Sequence, residues 1–273
     1  MKESILITGI AGFIGSTLAR KLCDLDYNVI GIDDLSSGDA KSIPKESIFF
    51  KCDLSKKIPK SLESKKYRID YIFHLAGQSS GEISFENPID DIEKNTISTI
   101  RILDFGKRKK IKKLFYASSM SVYGDAGYAN ENLNADPKTC YGISKLASEN
   151  YIKIYNEGLP YLIFRIFNVF GPSQKLNNLK QGMIRIYMTQ LIKYNKIIVK
   201  GSPDRYRDFI YIDDLINLFI EFIKKRNIKN SIFNLGTGKK LYVKDVIEEL
   251  KNLNGKKGIK VKYVKNTKGD QKG

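Results

Sequence analysis

The stretch Ser4-Ile5-Leu6-Ile7-Thr8-Gly9-Ile10-Ala11-Gly12-Phe13-Ile14-Gly15 decides how this chain is read. Five residues of apolar, β-rich sequence run straight into three glycines at GxxGxxG spacing, and an amphipathic stretch over Ile14–Leu25 follows. Glycine at these positions permits a tight turn, close approach of backbone to a pyrophosphate, and close packing of a helix on a sheet. The start of the helix offers unpaired N–H groups and the positive end of its dipole to an anion. Chance glycines in a turn are the default explanation of such a triplet. Context raises it: the next β-rich run, Asn28–Asp33, ends in a carboxylate at the separation expected for a partner of ribose hydroxyls. That carboxylate would repel a 2′-phosphate, so NAD is expected over NADP. The competing reading of Asp33 and Asp34 is a pair of solvated turn acids. Lys2 followed by Ile5–Ala11 also resembles a short leader peptide, but a leader has no reason to carry this glycine and acid arrangement.

Working outward, Ser47–Cys52, Ile69–Leu75, Lys113–Ser118 and Tyr161–Phe167 read as further buried strands, with near-continuous apolar character. Helical stretches lie between them, notably Pro88–Lys109 and Thr139–Glu157. This alternation predicts an α/β fold, a Rossmann-type doubly wound parallel sheet. After Gly171–Pro172 the rhythm changes. A polar loop over 173–181 leads to a helix at Met183–Tyr194 and a strand at Lys196–Lys200. Arg207–Ile212 and Ser231–Leu235 are strand-like and expected to return to the main sheet, and a last strand is expected at Gly258–Val264. The division expected is a dinucleotide-binding domain over 1–172 with return segments in 207–238. A smaller C-terminal substrate-binding region over 173–206 and 239–273 completes it.

The 273 residues carry 47 Lys and Arg against 30 Asp and Glu, a net charge of +17. Such a balance invites nucleic-acid or membrane-surface partners. Against them, 38 of the cations are Lys, spread along the chain, and only 9 are Arg, the better fork for bases and phosphates. No nucleic-acid or membrane partner is therefore expected. An apolar fraction of 42% excludes intrinsic disorder. Cys23, Cys52 and Cys140 are too few and too far apart for a disulfide framework or a metal cage, which points to a reducing, cytoplasmic setting and no metal. No apolar run approaches the length needed to span a bilayer.

Tyr141-Gly142-Ile143-Ser144-Lys145 places a phenol and an ammonium four residues apart, on one face of a helix. A tyrosine of pKa about 10 is a poor base near neutrality. A cation within one turn would favour the phenolate and tune it for acid–base work. Tyr-x-x-x-Lys is common by chance. Upstream, however, a strand ends in Ala117-Ser118-Ser119-Met120-Ser121-Val122-Tyr123-Gly124, which puts a hydroxyl at the crevice where such sheets bind ligands. His74, the single histidine, reads as a packed strand-end residue. Asp213 and Asp214 read as the N-cap and first turn of a helix.

Taken in order, these blocks resemble the extended short-chain dehydrogenase/reductases, specifically the NAD-dependent sugar-nucleotide epimerase/dehydratase group, and among them the UDP-glucose 4-epimerases. The resemblance runs from Leu6 to about Asp270. It rests on TGIAGFIGS (8–16), IDDLSSG (32–38), CDL (52–54), HLAG (74–77), Asn95, SSMSVYG (118–124), YGISK (141–145), RIFNVFGP (165–172), RDFIYIDD (207–214) and NLGTG (234–238). It implies that Tyr141 is the acid–base group, that Lys145 binds the nicotinamide ribose, and that Ser119 holds the reacting hydroxyl. Gly9, Gly12, Phe13, Ile14, Gly15, Asp33, Asp34, Ser37 and Gly38 would hold the dinucleotide. Asp53 and Leu54 would sit at adenine, and Leu75, Ala76 and Gly77 would line the pyrophosphate and ribose channel. Asn95 and Phe167 are placed on the cofactor side, although Asn95 reads first as a buried polar link with a catalytic role second, and Phe167 reads equally as a core aromatic. Ser79, Ser119, Asn168 and Arg207 would meet the substrate, a nucleotide-diphosphate sugar.

The reaction implied is epimerisation at C4 through a transient 4-keto sugar. A 4,6-dehydratase of the group carries Asp-Glu straight after its Ser or Thr, whereas Met120 and Ser121 stand here. A reductase, a dehydratase or a catalytically silent binding relative are the alternatives. A homodimer through the helices Pro88–Lys109 and Thr139–Glu157 is implied as well. Two departures stand out. Ser79 replaces a lysine found in several hexose epimerases, and Thr267-Lys268-Gly269-Asp270 has Thr where an Arg-x-Gly-Asp block is usual. The last 23 residues hold eight Lys against Asp270 alone, and the expectation is a C-terminally incomplete pocket.

Overall fold

The computed structural model describes residues 2–174, 182–255 and 258–273, so most of the polar loop expected over 173–181 lies outside the described residues. Strands β1 (Ser4–Thr8), β2 (Asn28–Asp33), β3 (Ile48–Lys51), β4 (Tyr71–His74), β5 (Lys113–Ser119), β6 (Tyr161–Ile166) and β11 (Ser231–Leu235) form one sheet in the order β11-β6-β5-β4-β1-β2-β3. Every pairing in it is parallel. The order runs outward in both directions from β1 and β4. Their carboxyl ends therefore open a crevice at the switch point, where ligands of such sheets bind.

Alternation along each strand sends side chains to opposite faces. In β1, Ile5 and Ile7 pack with Leu18 and Leu22 of helix α1 (Phe13–Asp24) and with Leu215 and Phe219 of helix α8 (Ile212–Lys224). Leu6 faces the other way, into a cluster with Ile72, Leu114, Ile102, Leu103 and Ile152. Those last three come from α5 (Ser98–Lys109) and α6 (Cys140–Tyr155). Phe73 stacks on Phe115 at 4.4 Å and Phe164 on Phe219 at 5.3 Å, tying strands to helix across the first face.

Three expectations change. The stretch 88–109 is not one helix: α4 (Pro88–Ile92) runs into a π-helical turn (Glu93–Ile97) before α5 begins. Arg207–Ile212 does not return to the main sheet. Beyond β6 the edge is already taken by β11, so β10 (Phe209–Tyr211) pairs with β7 (Asn168–Phe170), and β9 (Tyr206–Arg207) pairs with β12 (Leu241–Tyr242). Ile212 opens α8 instead. Asp213 and Asp214 lie in that helix's first turn, but the cap itself is Tyr211. Finally, β8 (Lys196–Lys200) pairs in parallel with β13 (Lys260–Val264). With α7 (Met183–Tyr194) and α9 (Val243–Asn254) they enclose a separate core of Tyr187, Leu191, Ile197, Val199, Val243 and Ile247.

Candidate active site

A cleft of about 810 Å³ crosses the carboxyl ends of the central strands. The glycine loop forms its floor. Gly9 has φ +76°, a conformation open to glycine, and a Cβ there would press on the Ala76 nitrogen at 2.8 Å. A Cβ on Gly15 would overlap the Gly9 carbonyl oxygen. Backbone thus occupies the space side chains would fill, leaving a cradle shaped for a pyrophosphate. Asp33 braces the loop: its carboxylate accepts the Ala11 N–H at 3.0 Å and the Leu35 N–H at 2.8 Å.

Of the residues expected at the site, all line this cleft except Gly38, Asn95 and Arg207. Gly38 lies behind the loop, where a Cβ would strike the side chain of Ala11. Asn95 is 1% exposed and serves as the buried polar link. Its amide donates to Asp91 Oδ1 at 3.2 Å and to Ser144 Oγ at 3.1 Å, joining the π turn to α6. Arg207 turns toward the C-terminal segment. Its guanidinium donates to the carbonyls of Tyr206 at 2.7 Å and Gln271 at 2.9 Å, and lies 3.4 Å from Asp270. Arg205 grips the same Asp270 carboxylate at 2.6 Å.

The helix α6 registers the end of β5 through three residues spaced by one turn. Tyr141 stands beside Ser119 on the cleft wall, and the Ser119 hydroxyl accepts the Ser121 N–H at 3.2 Å. Lys145 Nζ donates to the Ala117 carbonyl at 2.9 Å. Glu149 accepts from the Ser118 hydroxyl at 2.5 Å and forms a two-pronged pair with Arg165 of β6, at 3.0 and 2.7 Å. Burial pushes the Tyr141 phenol up to about 12, with Asp91 adding to the rise and Ser119 opposing it. Burial likewise pulls the Lys145 ammonium down to about 8, against the pull of Asp91 and Glu149. The expected lowering of the tyrosine by its lysine is not seen. Lys145 Nζ aims at a carbonyl and stands 5.9 Å from the phenol ring centroid.

Behind the wall, His74 is fully buried. The Thr8 hydroxyl accepts N–H bonds from Leu75 and Ala76 at 3.2 and 3.1 Å, so its own proton goes to His74 Nδ1 at 2.7 Å. His74 Nε2–H then donates to Thr99 at 3.1 Å, a tautomer assigned from this network. Burial, reinforced by Lys145, holds the imidazole down at about 3. Neutral His74 contributes stability that is present in full above the unfolded value near 6.5 and lost as pH falls toward 3, at about 1.4 kcal/mol per pH unit. Urea unfolding of wild type and His74→Asn should show a stability difference at pH 7 that narrows by pH 5. Parallel pH dependences would count against this role.

Three cleft residues carry no sequence signal. Lys94 sits in the π turn and bridges Asp34 at 2.5 Å and Asp53 at 3.1 Å. Gln78 donates to the buried Asp91 at 2.8 Å. Arg185, 7% exposed at the start of α7, also lines the cleft. A lysine or arginine on an amphipathic helix reads as solvent-facing, and only the fold shows otherwise. Among the described residues, no cluster of His, Cys, Asp and Glu could hold a metal ion, and no helix is long and apolar enough to cross a membrane.

Comparison with known proteins places this geometry. Residues 5–236 match the NAD-dependent epimerase/dehydratase family. A putative UDP-glucose 4-epimerase of Methanocaldococcus jannaschii is 35% identical over 260 residues, covering 93% of this chain and 83% of the relative. The UDP-N-acetylglucosamine 4-epimerase of Methanobrevibacter ruminantium, solved with UDP-N-acetylmuramic acid, superposes with a TM-score of 0.90 at 30% identity, over 100% of this chain and 88% of that one. The Thermus thermophilus UDP-glucose 4-epimerase complex with NAD gives 0.87 at 28% identity, over 98% and 88%. With the cradle, the acid-tipped second strand and the Ser–Tyr–Lys wall in one cleft, the chain belongs to the NAD-dependent epimerase/dehydratase family, and its cofactor is NAD.

Proposed function

We propose that the protein epimerises a nucleotide-diphosphate sugar at C4 through a transient 4-keto sugar, with Tyr141 as the acid–base group. The observation that carries the reading is the placement of Ser119 and Tyr141 together on the cleft wall, with Lys145 buried one turn behind. Ser119 orients the sugar hydroxyl, and Tyr141 takes its proton and later returns it. At a pKa of about 8, Lys145 keeps its proton at pH 7. Held by the glycine cradle and Lys145, NAD would supply the hydride acceptor and a positive ring charge. That charge is what a tyrosine held near 12 requires in order to act at neutral pH. The keto sugar, turned over in the cleft, takes hydride back on its other face. Asn168, Ser79 and Arg185 shape the substrate end. Met120 and Ser121 stand where a dehydratase would need an acid and a base, and neither can serve.

Incubation of the NAD-loaded protein with UDP-glucose, UDP-N-acetylglucosamine and their C4 epimers tests this. Interconversion within one pair is expected. Water loss to a 4-keto-6-deoxy product, or no reaction with any pair, would overturn it.

The same reading includes a homodimer. Ile143, Tyr151 and Ile154 form an exposed stripe along α6, and Ile89, Ile92 and Ile97 are exposed on α4 and the π turn, with exposures up to 86% at Ile154. Contiguous apolar surface of this kind marks an interface, and two antiparallel helix pairs would bury it. Light scattering should give about twice the 31.1 kDa chain mass, and Ile143→Asp with Ile154→Asp should give monomer. A monomeric wild type at micromolar concentration removes the claim.

A further inference from the structure

Lys94 is the one cation the π turn delivers to the dinucleotide end of the cleft wall. Its ammonium bridges Asp34, at the end of β2, and Asp53, just after β3, while Asp33 next door is engaged with the Ala11 and Leu35 N–H groups. All four side chains line the same cleft. Asp34 is further held by the Ser36 N–H at 2.9 Å and hydroxyl at 2.6 Å, and Asp53 by the Ser55 N–H and hydroxyl at 2.9 and 2.7 Å. Both acids are thus fixed by local turns independently of the lysine. Burial would raise the Asp34 carboxyl, but the hydrogen bonds from Lys94 and Ser36 outweigh it and hold the group ionised.

We propose that Lys94 sets cofactor discrimination at the adenosine ribose: masked by Asp34 and Asp53 it favours a 2′-hydroxyl, and once Asp34 is neutralised it becomes a cation for a 2′-phosphate. The charges decide the direction. With Lys94 doubly paired, a dianionic phosphate entering this corner meets Asp33, Asp34 and Asp53 against one ammonium. Asp34→Asn removes one of three repelling charges and releases the ammonium from its shorter contact. Lys94 is 21% exposed at its side chain and still paired with Asp53, so the change strands no buried charge. Asp33 keeps its two backbone N–H bonds and continues to disfavour the phosphate. The shift is therefore in the ratio of affinities rather than a full reversal.

The inference rests on the dinucleotide assignment of the cleft and is independent of which sugar reaction occurs there. Binding of NAD and NADP is measured by calorimetry or by quenching of tyrosine fluorescence, without any sugar present. Asp34→Asn is expected to move the NADP to NAD affinity ratio toward NADP by at least tenfold. Adding Lys94→Met to Asp34→Asn should cancel that gain. A ratio unchanged in Asp34→Asn, or a gain that survives in the double variant, overturns the role of Lys94. Wild-type protein that bound neither dinucleotide would instead overturn the assignment of the cleft.

Discussion

Tyr141→Phe is expected to lower turnover by about 10²- to 10⁴-fold, the range lost when a positioned acid–base group is removed. The phenol is 9% exposed and its ring packs between the end of β5 and the helix that carries it, so phenylalanine keeps the shape and deletes only the oxygen. NAD affinity should change little, because the glycine cradle and the acids at the ends of β2 and β3 are untouched. The pattern sought is a collapse in kcat with the dinucleotide still bound at wild-type strength. Because burial holds the unliganded phenol near 12, wild-type turnover should rise with pH through neutrality as phenolate becomes available. Full activity in Tyr141→Phe would end the proposed mechanism.

A second large effect is expected in stability. Glu149 is wholly buried, and its partner Arg165 is 4% exposed at the side chain. Glu149→Ala would leave the guanidinium charged in the core, at a cost of about 3–5 kcal/mol. One of its nitrogens, Nη1, already has no hydrogen-bond partner. For a domain of this size the loss corresponds to a melting temperature lower by about 10 °C. Replacing both partners with apolar residues of similar volume, Glu149→Leu with Arg165→Met, should recover most of that stability, since no charge is then stranded. Equal denaturant midpoints for Glu149→Ala and wild type would refute the argument. The pair also bears on the site. Glu149 holds Ser118, the neighbour of Ser119, so the double variant is expected to be stable yet slower.

Local physics made the first half of this architecture legible. The glycine loop, Asp33 and the Tyr141–Lys145 spacing each follow from a strand or a helix whose period is set within a few residues. The sheet could therefore be read from apolar runs, and most expected site residues fall on one cleft. What escaped reading depends on distant partners. The resemblance placed Arg207 at the substrate, but its guanidinium is claimed by Asp270 and the Gln271 carbonyl, more than sixty positions away. The strand containing it left the main sheet because β11 had taken the edge, a competition no window of sequence records. Lys94 and Asp91 were invisible because the helix carrying them looked uniform, and its one irregular turn has neither proline nor glycine to announce it.

That irregular turn has a consequence for how the helix tolerates change. A π turn holds one residue more than an α turn, and each residue advances a helix by about 100°. Before the insertion, Asp91 faces inward to Gln78; after it, Thr99 still meets His74 and Ile102 still enters the core. Lys94 and Asn95, consecutive in sequence, serve different places: Lys94 reaches Asp34 in the cleft, and Asn95 joins Asp91 and Ser144 behind its wall. The extra residue works as a phase adjuster between two half-helices. Straightening 93–97 to α geometry at unchanged length would rotate one half against the other by about a quarter turn, whereas removing one residue restores an α turn with both halves in phase. A straightened turn of full length would cost either the acids at the dinucleotide end or the histidine behind the phosphate loop its partner, so this segment should accept a one-residue deletion that spares Lys94 and Asn95 more readily than an insertion.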